Sequence, residues 1–187
     1  SKKIHLNKKG ILFCLGNKRH LLENLKMLNL ITKDKKYYKN NFKIFIKLHP
    51  VISEVYFDKF FKKFLKGLDY KILVSKKISN IIGVNKNLIA ITGLSGSYYD
   101  CVYLGMKTLF FDYGYKISNT LPRVTSNINK NSNLRKCLHK IEKISNIQWK
   151  KKSNLVLKRA WGLAVGKKNS TKLTDQIARI TKIKKKK

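Results

Sequence analysis

Residues 87–112, NLIAITGLSGSYYDCVYLGMKTLFFD, decide the fold class. Asn87 to Thr92 is a short apolar run without polar alternation, the pattern of a strand covered on both faces. Gly93 to Ser97 is a run of small residues and reads as a turn. Tyr98 to Leu104 then reads as a helix, which Gly105 ends. Lys107 to Phe111 is a second apolar run that stops at Asp112. Two strands joined through a helix are parallel neighbours, because a hairpin would join them by a tight turn instead.

The same alternation extends outward. Gly10 to Gly16 (GILFCLG) is an apolar run bounded by glycines, and Asn17 can cap the helix after it. Leu21, Leu22, Leu25 and Leu28 recur at helical spacing to about Leu30. Thr32 to Asn41 is polar and rich in lysine, and is expected to be a loop or a frayed turn. Phe42 to Leu48 (FKIFIKL) is a second strand, stopped by Pro50. Ser53 and Glu54 open a helix whose stripe is Phe57, Phe60, Phe61, Phe64 and Leu65, and Gly67 closes it. These aromatics fall at core spacing and are not read as a base-stacking platform. Tyr70 to Val74 is a third strand, and Ile78 to Val84 makes one or two helical turns. Past Asp112 a loop over residues 113–132 holds Pro122. Helices are expected over 134–144, 155–164 and 172–180.

Five alternations of strand and helix predict an α/β fold, a Rossmann-like parallel sheet with helices on both faces. The length suits one domain over residues 1–180, with a core from 10 to 145 and closing helices from 146. Residues 181–187 form a basic tail. No internal repeat is visible.

Lys and Arg number 43 against nine Asp and Glu, giving a net charge of +34. Such a surface attracts phosphate in nucleic acid, nucleotide or an anionic membrane surface. Only five of the basic residues are arginine: Arg19, Arg123, Arg135, Arg159 and Arg179. Lysine, asparagine and isoleucine are abundant, the imprint of an AT-rich genome. Bidentate phosphate clamps and base readout favour arginine, so the charge alone does not define a nucleic-acid binder. Cys14, Cys101 and Cys137 have no metal or redox spacing, and Cys14 and Cys101 lie in apolar runs that predict burial. No metal site and no cofactor are expected. No apolar run is long enough to span a bilayer, and the basic opening is not followed by a signal sequence.

Ligands of open α/β sheets bind beyond the carboxyl ends of the strands. Two segments lie there. In the first, His49 follows a buried strand and Pro50 fixes its loop; the imidazole can donate to a phosphate oxygen or protonate a leaving phosphate. It can equally bond its own loop. In the second, Thr92, Gly93, Ser95, Gly96 and Ser97 lead into a helix, where small residues, hydroxyls and backbone N–H groups suit an anion. An ordinary capped turn has the same composition. The loop is neither a Walker A loop nor a G-x-G-x-x-G fingerprint. Asp100, one turn into the helix, can orient a hydroxyl or complement the helix dipole. His5, His20 and His139 sit among lysines and read as surface groups.

In order, ILFCLG, IFIKLHP and ITGLSGSYYDCVYLGMKTLFFD resemble the C-terminal, donor-binding half of GT-B glycosyltransferases of bacterial surface-polysaccharide synthesis. The pattern is that of capsule, polysialyltransferase-like and CDP-glycerol glycerophosphotransferase-like enzymes. Leu104-Gly105-Met106-Lys107 fills that family's Leu-Gly-Lys-Pro-like turn, with Met and Lys departing from it. Gly166 to Ser170 resembles the family's closing segment. The resemblance covers residues 10–111, with weaker echoes to 180. It implies that His49 contacts the donor phosphate, that Pro50 fixes its loop, that Ser95 and Ser97 bond the phosphate and that Asp100 stands behind them. It implies a CMP-, CDP- or UDP-linked donor, and a cytoplasmic enzyme peripheral to the inner membrane face. The chain begins at Ser1 rather than Met, and the resemblance implies a missing N-terminal, acceptor-binding domain that supplies the general base. The rival reading is a basic α/β ribosomal protein, organellar and of the small subunit, binding rRNA in the mitochondrial ribosome. It accounts for the charge and leaves both loops without a role.

Overall fold

The structure is a computed structural model that describes residues 9–73, 88–93, 97–114 and 123–165, with side chains to 160. The strands are β1 (Lys9–Cys14), β2 (Phe42–Lys47), β3 (Tyr70–Leu73), β4 (Leu88–Thr92) and β5 (Lys107–Phe110). They form one sheet in the order β3-β2-β1-β4-β5, with every neighbouring pair parallel. The expected α/β Rossmann-like sheet is therefore present. The chain runs outward from β1 to β3 on one side and resumes at β4 on the other, so the sheet's switch point lies between β1 and β4. Phe111 extends the sheet by a single bridge to Ile128.

Side chains alternate between two layers, as a pleated strand requires. Ile11 and Phe13 pack with Met27, Leu28 and Ile31 of α1 (Leu21–Thr32) and with Phe57 and Phe61. Leu12 and Cys14 pack on the opposite side with Ala90, Met106 and Cys101 of α5 (Ser97–Tyr103). Helices thus cover both faces, which is why the strands read as continuous apolar runs.

Three expectations about local structure are corrected. Residues 32–41 are not a loop: α2 (Lys35–Asn41) occupies most of them. Its core signal is carried by Tyr38, which is fully buried against Phe42, in a segment otherwise polar. The phenylalanine stripe is not one helix but α3 (Glu54–Phe60) and α4 (Lys62–Leu65), broken at Phe61. Phe57, Phe61 and Leu65 are buried, while Phe60 and Phe64 are half-buried beneath Lys59 and Lys63, each ammonium 5.4 Å from its ring centre. The closing helix starts earlier than residue 155. After α6 (Leu134–Glu142), α7 spans Asn146–Val165. Ser145 and Gln148 cap it reciprocally: Gln148 N–H donates to Ser145 Oγ and Ser145 N–H to Gln148 Oε1, both at 3.2 Å.

The expected cap at Ser53 is observed, as is the left-handed glycine at Gly67 and at Gly105, both with φ of 81°, whereas Asn17 caps a 3₁₀ turn over Lys18–His20 and not α1, which starts after it without a side-chain cap. The segment 78–84, Pro122, the motif at 166–170, the helix expected at 172–180 and the terminal lysines lie outside the described residues.

Candidate functional site

The C-terminal ends of β1, β2, β4 and β5 form one edge of the sheet. Register places Lys47, Cys14, Thr92 and Phe110 in its last row. His49 and Gly93 each lie just past that row, on either side of β1. Two strand spacings separate their strands, about 10 Å. One phosphate cannot bridge that span, whereas a nucleoside diphosphate can.

The His49 imidazole is half-buried and its Nδ1 accepts a 3.4 Å hydrogen bond from Val51 N–H. The ring therefore braces its own loop, with Ile52 N–H donating to the His49 carbonyl at 2.8 Å. That bond assigns the neutral ring's proton to Nε2, which keeps a donor for a second partner. Pro50 is exposed. Ser95 and Gly96 lie outside the described residues. Ser97 begins α5 and is half-buried, while Asp100 is exposed on the same helix.

Thr92 is fully buried, and its Oγ1 has no hydrogen-bond partner among the described residues. A buried hydroxyl without a partner is costly, and such a group at a strand end suits a ligand or water. Beside it, the hydrogen bond with Cys14, and after it burial, push the Cys101 thiol well up. Cys101 therefore stays protonated and is a poor nucleophile. Among the described residues no disulfide links the cysteines and no cluster of His, Cys, Asp and Glu suits a metal.

Three residues to which sequence analysis assigns no site role organise this edge. Asn24 of α1 is fully buried. Its Oδ1 accepts from Gly16 N–H at 2.9 Å and its Nδ2 donates to the Gly16 carbonyl at 3.1 Å, fixing the turn after β1. Tyr113, three residues past β5, donates its hydroxyl hydrogen to the same Oδ1 at 3.0 Å. Its ring crosses the switch point. A Cβ built on Gly93 would stand 2.0 Å from the tyrosine Cζ and Oη, so the ring fills the space that glycine leaves. His20 closes the other side with its ring centre 5.4 Å from that of Tyr113. His20 is thus half-buried at the edge rather than a surface group.

Arg123 is the third. Its guanidinium lies 3.7 Å from the centre of the Phe110 ring and donates to the Tyr99 hydroxyl at 3.0 Å. The neighbouring Val124 N–H donates to the Tyr98 hydroxyl at 2.9 Å. Burial, the leading cause, raises the Tyr98 phenol to about 12, against opposing pulls from that hydrogen bond and from Arg123. A raised phenol favours the protonated folded state, so its stabilising effect is whole below pH 10 and is lost as pH rises toward 12. Stability measured by denaturant is expected to fall across that window by on the order of 2 kcal/mol from this group. Tyr98→Phe should remove that part of the slope; an unchanged slope would contradict the assignment.

Beyond Tyr113 opens a cavity of 280 Å³ lined by Glu23, Lys26, Asp112, Tyr113, Asn129 and Lys130, among others. Its rim is held by the Phe111–Ile128 bridge, with Asp112 N–H donating to the Ile128 carbonyl at 2.7 Å. Two of the chain's few carboxylates meet here beside two lysines, an aromatic ring and side-chain amides. No family model matches the chain, and no curated protein matches it. The chemistry of the sheet edge therefore carries the functional reading. No helix among the described residues is long and apolar enough to cross a membrane.

Proposed function

We propose that this domain binds a nucleotide-activated donor, CMP-, CDP- or UDP-linked, at the C-terminal edge of its sheet. It acts as the donor half of a GT-B glycosyltransferase-like enzyme of surface-polysaccharide synthesis. The observation that carries the reading is the buried Thr92 hydroxyl, without a hydrogen-bond partner among the described residues, in the last row of the sheet and adjacent to Gly93 at the switch point. Strand carboxyl ends at a switch point are where open α/β sheets take nucleotides. In this reading Thr92 and Ser97 donate to phosphate on one side of β1, and Nε2–H of His49 donates on the other. Through that same Nε2–H hydrogen bond His49 stabilises the charge that gathers on the departing phosphate. Ser95, Gly96 and Asp100 complete the set that the resemblance implies. The cavity beyond Tyr113 suits the transferred sugar or polyol, since carboxylates and amides pair with hydroxyls and an aromatic face covers carbon. A separate acceptor-binding domain supplies the acceptor's base.

Thermal unfolding with CMP, CDP and UDP tests this. A nucleotide at a hundred times its Kd stabilises by about 2.7 kcal/mol, a shift of several degrees. Thr92→Val keeps the shape and removes the unpartnered hydroxyl. It is expected to raise the ligand-free midpoint by the equivalent of about 1 kcal/mol and to shrink the nucleotide-dependent rise. His49→Ala should abolish that rise. No shift with any of the three nucleotides would overturn the proposal.

A further inference from the structure

One helix that the proposed donor site does not use carries basic charge alone. Over Asn146–Val165 α7 holds Lys150, Lys151, Lys152, Lys158 and Arg159 and not one acidic residue. It docks through Trp149, Ser153, Val156 and Leu157, all buried. At 100° per residue these four occupy one side. Ile147, Lys151, Leu155 and Lys158 fall within about 80° on the opposite side, with Lys150 on one flank and Lys152 and Arg159 on the other. All five cations are exposed, and so are the two apolar residues, Ile147 at 83% and Leu155 at 54%. The outer face therefore interleaves two exposed apolar side chains with cations, Lys151 and Lys158 lying between Ile147 and Leu155 around the axis.

We propose that the outer face of α7 docks on an anionic phospholipid bilayer, lying in the plane of the headgroups. Charge complementarity selects an anionic partner. The two exposed apolar side chains select between anionic partners: a phosphate ladder gains nothing from Ile147 and Leu155, whereas a bilayer takes both below its headgroups while the interleaved lysines reach up to the phosphates. The two side chains stand about 12 Å apart along the helix axis, enough to hold it parallel to the surface. The proposal is independent of the donor-site reading.

Flotation of the full chain with vesicles tests it. Vesicles of phosphatidylcholine with one-third phosphatidylglycerol should bind the protein at about 0.1 M salt, and phosphatidylcholine alone should not. Lys151→Gln and Lys158→Gln should each weaken binding about 5-fold. The pair Ile147→Ser and Leu155→Ser, both exposed and outside the core, should weaken vesicle binding at least 10-fold while leaving poly(U) binding unchanged. Equal binding to both kinds of vesicle would overturn the proposal. So would vesicle binding insensitive to the serine pair, and with poly(U) binding lost in the lysine variants that result would assign the face to RNA.

Discussion

Asn24→Ala is expected to be among the most destabilising single substitutions in this chain, at about 3–5 kcal/mol. The loss is not one of packing. Asn24 satisfies both backbone groups of Gly16 and receives the Tyr113 hydroxyl hydrogen. Truncation leaves the N–H and the carbonyl of Gly16 without the amide in a buried turn, each costing about 1–3 kcal/mol unless water replaces it, and takes one acceptor from the half-buried Tyr113 hydroxyl. Denaturant unfolding reads the loss as a lower midpoint at unchanged slope. Asn24→Asp separates the acceptor role from the donor role. It retains an oxygen for Gly16 N–H and Tyr113 but sets a carboxylate against the Gly16 carbonyl. Burial and that carbonyl raise its folded pKa above the unfolded value of about 3.9. The variant should therefore be most stable in acid and lose stability as pH rises. A variant as stable at pH 7 as at pH 4 would refute the donor role of Nδ2.

Phe61→Ala is the second large effect, expected at about 3–5 kcal/mol. Phe61 is fully buried at the joint between α3 and α4, with ring centres 5.7 Å from Phe57 and 6.2 Å from Tyr56. The joint also carries backbone bonds on both sides: Phe61 N–H donates to the Phe57 carbonyl at 2.8 Å and Phe64 N–H to the Phe61 carbonyl at 3.0 Å. These bonds hold the backbone while the ring's volume is lost, so the cavity cannot collapse easily. Phe60→Ala, one residue away and half-buried beneath Lys59, should cost less than half as much. Comparable losses at the two positions would show that the stripe packs as one helix.

The strands were legible because the central ones are covered on both faces. Their apolar runs, bounded by glycine and proline, give ends within one or two residues of those observed. Helix α2 was not, because Tyr37 and Tyr38 carry its apolar surface while its other residues are Lys and Asn. The start of α7 was present as Ser145 and Gln148 at capping spacing, before any apolar periodicity begins. At the site, His49 and the small residues after β4 fall where strand ends place them. Asn24 offered a signal too: a polar residue three positions after Leu21 and four before Leu28, inside the apolar stripe of α1. Tyr113 and Arg123 offered none, since they act through contacts across the sheet edge that no local pattern encodes.

The contact between Tyr113 and Asn24 spans 89 residues, whereas that between Asn24 and Gly16 spans eight. A growing chain can close the short loop as soon as β1 and α1 emerge. It cannot close the long one until β4 and β5 have joined the sheet, because a distant pairing becomes favourable only when the intervening strands hold its ends together. The edge of the sheet is therefore tied by one local and one distant closure, and it is the distant one that sets the Tyr113 ring against Gly93.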